Sequence, residues 1–317
     1  MDDRFLGRVP EILRQISVFI ILLIIGLVFA LGSSDFLASS NLLNIALQTS
    51  VIAIVAIGMT FTILTAGIDL SVGSVMALGG ALAAGLAVRQ GWGTYGGIGA
   101  ALLAGVAVGA VNGLLVIKGG MPPFVATLAM MTVGRGLTLV YTQGRPIAGI
   151  EKNFIFWGTG RVMGVPVPVI LLTVLVVVAY VVLRYTRFGV YVYATGGSEE
   201  ITRLAGIPPD GIKLAVYMIS GFTAAMGGVL LTARLWSAQP NAATGWELDA
   251  IAAPVLGGVS LFGGVGSIGG TLVGAFIIGV LSNGLNLLRI PSYYQQVIKG
   301  VVFILAVMLD LLTKRRR

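Results

Sequence analysis

Apolar runs separated by short polar or glycine- and proline-bearing breaks recur along the whole chain. They set candidate helices near residues 16–32, 43–66, 72–88, 97–117, 123–142, 166–184, 213–233, 250–262, 267–284 and 295–312. A bilayer core about 30 Å thick takes roughly 20 mostly apolar residues per helix, so the pattern predicts an all-α integral membrane protein with about ten crossings. The run at 250–262 is short for a crossing and is rich in glycine, with Gly257, Gly258, Gly263, Gly264 and Gly266 in or just after it. It is expected to bend or re-enter, which backbone does at membrane depth only under a cover of protein or beside a water-filled cavity.

Small residues mark where helices touch, because apolar side chains gain nothing by leaving lipid and close backbone approach needs Gly or Ala. Gly105, Gly109 and Gly113 repeat every four residues, and so do Gly270 and Gly274; both rows predict packing seams. The stretch 167–183 has few small or polar residues and reads as a lipid-facing helix. Gly67, Leu70 and Gly73 echo Gly258, Leu261 and Gly264, but among 46 glycines such an echo carries no weight as a duplication.

Composition sharpens the class. Of 317 residues, 57% are hydrophobic and 10% are charged, against the roughly 25% charged of soluble domains. The expected organisation is one transmembrane domain over 1–317, with no room for a soluble one, so any energy-converting machinery must come from a partner. The chain has no Cys and no His, which excludes thiolate nucleophiles, imidazole bases, disulfides and the usual zinc ligands. No catalytic residue and no metal site are expected.

The net charge of +8 is read as a topology signal and not as a nucleic-acid surface, since Lys314, Arg315, Arg316 and Arg317 directly follow an apolar run. Arg4, Arg8, Arg14, Lys118, Arg184, Arg187, Arg203, Lys213 and that basic end fall on one side of the expected topology. Arg89, Arg145, Lys152, Arg161, Arg234 and Arg289 fall on the other. The imbalance places both termini in the cytoplasm. Trp92, Trp157, Trp236 and Trp246, with Tyr95, Tyr141, Tyr293 and Tyr294, then lie at external ends as interfacial aromatics do. The charged lead-in before the run at 16–31 resembles a signal peptide, but its length and the spans that follow favour an uncleaved first helix.

The longest cytoplasmic loop, about 185–212, holds Thr195-Gly196-Gly197-Ser198-Glu199-Glu200-Ile201-Thr202-Arg203-Leu204-Ala205-Gly206. Ser198 can cap a short helix, the glutamates suit its first turn, and Gly206 ends it. Two readings stand: an interfacial connector, or a docking helix that a cytoplasmic partner grips.

This loop resembles that of the ribose and related-sugar permeases of the ATP-binding-cassette importers. So do Ala66-Gly67-Ile68-Asp69-Leu70-Ser71-Val72-Gly73-Ser74, Pro122-Pro123-Phe124-Val125-Ala126-Thr127-Leu128 and Ala233-Arg234-Leu235-Trp236-Ser237-Ala238-Gln239-Pro240. Further along, Thr244-Gly245-Trp246-Glu247-Leu248-Asp249-Ala250-Ile251-Ala252-Ala253, Leu256-Gly257-Gly258-Val259-Ser260-Leu261 and Asn283-Gly284-Leu285-Asn286-Leu287 extend the likeness over roughly 45–312. The resemblance implies a ten-helix fold of the vitamin-uptake-permease type. It implies two permease copies forming the pore, an extracytoplasmic sugar-binding protein above, and ATPase domains below that bind the ATP and Mg; this chain itself holds no cofactor.

In that family the loop matching Gly197 to Gly206 couples the ATPases to the helices, which points to Gly197, Ser198, Glu199, Glu200, Arg203 and Gly206. Glu199-Glu200-Ile201 departs from the family's Glu-Ala-Ala pattern, so the part of each glutamate stays open. Glu199, Glu200 and Arg203 are expected to face the ATPase.

Asp69 reads as a cap for the helix starting at Ser71, as a hydrogen bonder in the pathway, or, in an ion-coupled secondary transporter, as a proton carrier. Arg135 and Lys299 lie in predicted spans, where they can snorkel or pair. Gln48, Thr60, Tyr141, Asn283, Asn286 and Gln295 are candidates for the weak, replaceable hydrogen bonds that a passing sugar needs, and equally for bonds that join helices. Gln239, Asn241, Trp246 and Glu247 form an external loop that meets the binding protein or merely faces solvent. Besides the importer of a monosaccharide, the readings are a secondary transporter, a branched-chain amino acid permease and, least favoured without His, Cys or a paired acidic motif, an intramembrane enzyme.

Overall fold

The computed structural model describes residues 9–314; Arg4, Arg8, Arg315, Arg316 and Arg317 and the side chains of Arg14 and Lys314 lie outside the described residues. The order is α1 (Val9–Gly32), α2 (Ser39–Leu64), α3 (Val72–Val88), α4 (Gly93–Ile117), α5 (Pro123–Thr142) and α6 (Lys152–Thr159). There follow the strands β1 (Arg161–Val162) and β2 (Val165–Pro166), then α7 (Val167–Tyr185), α8 (Arg187–Gly197), α9 (Glu199–Leu204), α10 (Pro209–Leu235), α11 (Trp246–Leu256), α12 (Ile268–Leu287) and α13 (Ser292–Lys314). Among the described residues, six helices are long and apolar enough to cross a membrane: α2, α4, α5, α7, α10 and α12. The stretches Val18–Gly32, Val72–Val88 and Ser292–Met308 are shorter apolar helices.

The element bounds at 72–88 and 123–142 coincide with the apolar runs, while α1, α2, α4 and α10 each start earlier than their runs, because polar residues can fill a first turn. The run at 250–262 is not one helix. α11 begins at Trp246 and stops at Leu256, and the chain then unwinds through Gly258, Gly263 and Gly264 at φ 90°, 82° and 72°, a backbone region in which glycine is at ease. α6, the β1–β2 hairpin turning at Met163 and Gly164, and α8 are among the elements with no long apolar run to announce them.

α10 is the central post, packed on α2, α3 and α4, while α12 joins α1, α2 and α11. Both predicted seams are present. A Cβ at Gly105 would collide with the Gly221 carbonyl oxygen, and one at Gly221 with that of Gly105; Gly109 meets the carbonyl of Tyr217. Gly270 and Gly274 in the same way abut the carbonyls of Gly257, just past the end of α11, and of Ala253 on it. α7 turns Leu172, Ala179 and Leu183 to the core and leaves Val174, Val177, Val178 and Val181 exposed on its outer face.

Overpacking a tight seam costs about 1–3 kcal/mol or more. Gly109→Leu is therefore expected to lower the thermal unfolding midpoint of the purified chain in detergent. Gly99→Ala on the same helix, where an added Cβ meets open space, should leave that midpoint within error or raise it slightly.

Candidate functional site

Two helices begin inside the bundle. α3 runs alongside α10 with Gly79 against Ala225 and Gly80 against Gly228, so its start lies level with about residue 219 of α10, roughly 15 Å above that helix's own first turn. α10 ends at Leu235, and the chain then turns back through Ala238, which pairs with Ile147 (3.0 and 2.9 Å), to start α11 beside α3. A Cβ on Gly73 would strike the Glu247 carboxylate and the Ala243 carbonyl. Arg135 on α5 bolts this returning segment down, its Nη1 donating to the carbonyls of Pro240 at 2.8 Å and Ala242 at 3.0 Å. On the far side of α11, Lys299 of α13 pairs with Asp249 at 2.8 Å. Both intramembrane cations of the sequence are thus engaged.

Asp69 sits in the break between α2 and α3 with 1% of its surface exposed. Its Oδ1 accepts from the Ser71 amide (3.0 Å), the Ser71 hydroxyl (2.6 Å) and Asn112 Nδ2 (3.4 Å), and its Oδ2 accepts from the Ser220 hydroxyl (2.7 Å). Asn112 also donates to Ser71 Oγ at 2.9 Å. Asp69 therefore does serve an amide at the start of α3, but two of its four bonds join the break to α4 and α10. Ser71 was read only as the start of the capped helix, and Asn112 and Ser220 escaped the reading of the sequence; the signal available was a polar residue within an apolar run.

The remaining interior candidates are scattered. Thr60 bonds Thr271 across α2 and α12 at 2.7 Å, and Asn283 exchanges two bonds with Asn41 at 3.0 and 2.9 Å. Asn286 accepts from Gln295 at 2.8 Å, joining α12 to α13. Gln48 is half-buried on α2, and the Tyr141 hydroxyl is buried against Gly85 on α3. In the segment 236–247, Asn241 is exposed and Gln239 donates to Ser237 at 2.8 Å. Trp246 packs on the main core, and Glu247 faces Gly73.

The loop 185–212 is more structured than the sequence suggested. Thr186 caps α8, its Oγ1 accepting from the Gly189 amide, and Ser198 caps α9, accepting from the Ile201 amide; Gly206 follows α9 at φ 80°. One face of α9 is clamped to α10: Glu199 pairs with Lys213, and Arg203 bridges Glu199 (3.4 Å) and Asp210 (3.2 Å). Lys213, foremost, holds the Glu199 carboxyl below its usual range against the opposing effect of partial burial. The opposite face carries Glu200, Ile201 and Leu204, with Ile201 68% and Leu204 82% exposed. The end of α8 presses backbone to backbone on the break: a Cβ at Gly196 would strike the Leu64 carbonyl and the Gly264 amide, which are bonded to each other at 2.9 Å. A cavity of about 370 Å³ lies between this joint, α4 and α10.

Apolar helices of membrane length, joined by two shorter helices that start inside the bundle with acidic side chains at their heads, are the construction of a multi-pass membrane transport protein. The family described as branched-chain amino acid transport system / permease component matches residues 41–307. The chain is 50% identical over 306 residues to the ribose import permease protein RbsC of Escherichia coli (strain K12), covering 94% of each chain. It is 47% identical over 309 residues to that of Bacillus subtilis (strain 168), covering 94% of this chain and 93% of the relative. To the D-allose transport system permease protein AlsC of Escherichia coli (strain K12) it is 38% identical over 297 residues, covering 94% and 91%. No solved structure matches it significantly. The chain belongs to this family of transport-system permease components.

Asp69→Ala leaves several buried donors without an acceptor and is expected to cost roughly 2–4 kcal/mol; Asp69→Asn, which keeps an acceptor in place, should cost less, as read by thermal unfolding in detergent. Because the Glu199 carboxyl is lowered in the fold, its clamp contributes at neutral pH and is lost as pH falls through that lowered value. Amide exchange over 199–204, corrected for its intrinsic pH dependence, should therefore gain on that of α10 as the pH is taken below the ordinary glutamate range.

Proposed function

We propose that the chain is the pore-forming permease subunit of an ATP-binding-cassette importer in the bacterial inner membrane, and that its substrate is ribose or a closely related monosaccharide. The near full-length identity to ribose import permeases carries this reading, at 50% and 47% against 38% for the D-allose permease. The six long apolar helices, the three shorter ones and the half-helix α11 make up about ten crossings in this reading, with both termini and the loop 185–212 in the cytoplasm. Two copies of the chain form the pore, an extracytoplasmic binding protein meets the outer surface near Gln239 and Asn241, and a cytoplasmic ATPase binds the ATP and Mg.

A permease without an engine must be biased by a partner that binds its two states unequally. α9 is suited to take that bias. Its exposed face of Glu200, Ile201 and Leu204 offers apolar contact to the ATPase, and its other face is tied by Glu199 and Arg203 to Lys213 and Asp210 on α10. A push on α9 is then a push on α10, whose Ser220 holds Asp69 at the break. Gln48, Tyr141, Asn286 and Gln295 remain proposals for weak contact with the sugar. Thr60 and Asn283 are bonded across helices, as Asn286 and Gln295 are to each other, so in this reading any contact of these four with the sugar exchanges for a bond within the bundle.

Ile201→Asp combined with Leu204→Asp is expected to reduce ATP-driven uptake of labelled ribose at least tenfold in vesicles carrying the whole importer, while the purified permease keeps its unfolding midpoint. Wild-type uptake by the permease alone under an ion gradient, with no ATPase, would contradict the reading.

A further inference from the structure

We infer that the cavity of about 370 Å³ beside the coupling loop is a binding site for a neutral, hydroxyl-rich small molecule, and that its physiological ligand is the imported monosaccharide, acting from the cytoplasmic side to slow its own uptake. The choice of sugar rests on the importer reading; the site itself rests on the geometry.

Two residues of its wall carry buried hydroxyls that have no hydrogen-bond partner among the described residues: Thr195 at the end of α8, 4% exposed, and Tyr217 on α10, 1% exposed. Leaving such a group unpaired costs about 1–3 kcal/mol, and buried polar groups without partners are rare. Two of them in one wall point to an occupant that supplies donors and acceptors. At the solvent end, Glu199 and Lys213 line the same cavity as an ion pair, and the flanking Arg203 and Asp210 are paired as well. The wall thus carries both signs in equal number. An anion would meet Glu199 and a cation would meet Lys213, whereas a neutral polyol can donate to the carboxylate and accept from the ammonium. The volume lies within the roughly 300–1,000 Å³ of small-molecule pockets.

The placement gives the occupant a consequence. The cavity touches Gly67 in the α2–α3 break, Thr195 and Gly197 at the joint of α8 and α9, and Lys213 on α10. A ligand bonded to all of these ties α9 to the bundle in one arrangement and opposes the displacement that the ATPase must impose. Accumulated sugar then restrains its own importer.

The test begins with equilibrium binding of labelled D-ribose to the full-length chain in nanodiscs. Thr195→Val and Tyr217→Phe remove only the unpartnered hydroxyls, so neither strips the fold of a bond, and each should weaken binding roughly fivefold. Thr173→Val, on the exposed face of α7, serves as the control and should bind as wild type. No saturable binding, or binding indifferent to both cavity variants, overturns the site. In vesicles of the whole importer, the ratio of initial uptake rates with and without internal ribose should fall well below one for wild type and return toward one for both variants. An equal ratio in all three overturns the inhibitory role. Cavity-dependent binding in a preparation that fails to import ribose supports the site and strikes the importer reading alone.

Discussion

A bundle of apolar helices can hold an ionisable group only by satisfying it completely, and the fold depends on how this is done for Asp69. Its carboxylate is almost wholly buried and accepts from Ser71, Asn112 and Ser220. Those bonds let α2 stop, the chain re-enter, and α3 start well inside the bundle without stranding the polar groups of the break. On the other side, Arg135 does the same for the segment before α11 by filling the carbonyls of Pro240 and Ala242. Two interrupted helices face each other because two polar side chains make the interruptions tolerable.

In the proposed coupling, the same bonds carry a displacement of the loop to the interior. α10 carries Asp210 and Lys213 near its start and Ser220 further along, so one rigid helix links the clamp on α9 to the carboxylate at the break. A second link runs through backbone alone, where Gly196, Leu64 and Gly264 approach too closely for any side chain to intervene. Packed glycine joints shift between discrete arrangements and do not deform smoothly, which suits a part that must pass on a displacement.

Much of this architecture was legible in the sequence because lipid imposes a simple code. Run lengths located the long helices, and glycines at four-residue spacing located the seams of α4 with α10 and of α11 with α12. The cap at Ser198 and the stop at Gly206 were equally readable, since local chemistry decides them. What stayed hidden depends on distant neighbours. Nothing in the run around Asp69 says that Ser220, 151 residues away, will meet it. Nor does the pattern show that Glu199 and Arg203 turn toward α10 while Ile201 and Leu204 turn out, because a helix of six residues is too short to display a periodicity. Glu247 reads as part of an external loop, yet it lies against Gly73; a returning segment has no signature beyond a break in hydropathy.

The central claim is that displacement of α9 reaches the interior through α10 and Asp69. The chain has no cysteine of its own, so spin labels at Ala205→Cys and Gln90→Cys report the distance between the end of α9 and the C-terminal end of α3 within one copy. In the assembled importer, diluted so that one copy carries both labels, that distance should change on ATP binding. The change should be lost in Asp69→Asn together with Ser220→Ala while the ATPase stays bound. An ATP-dependent change of the same size with both interior groups replaced would contradict the account.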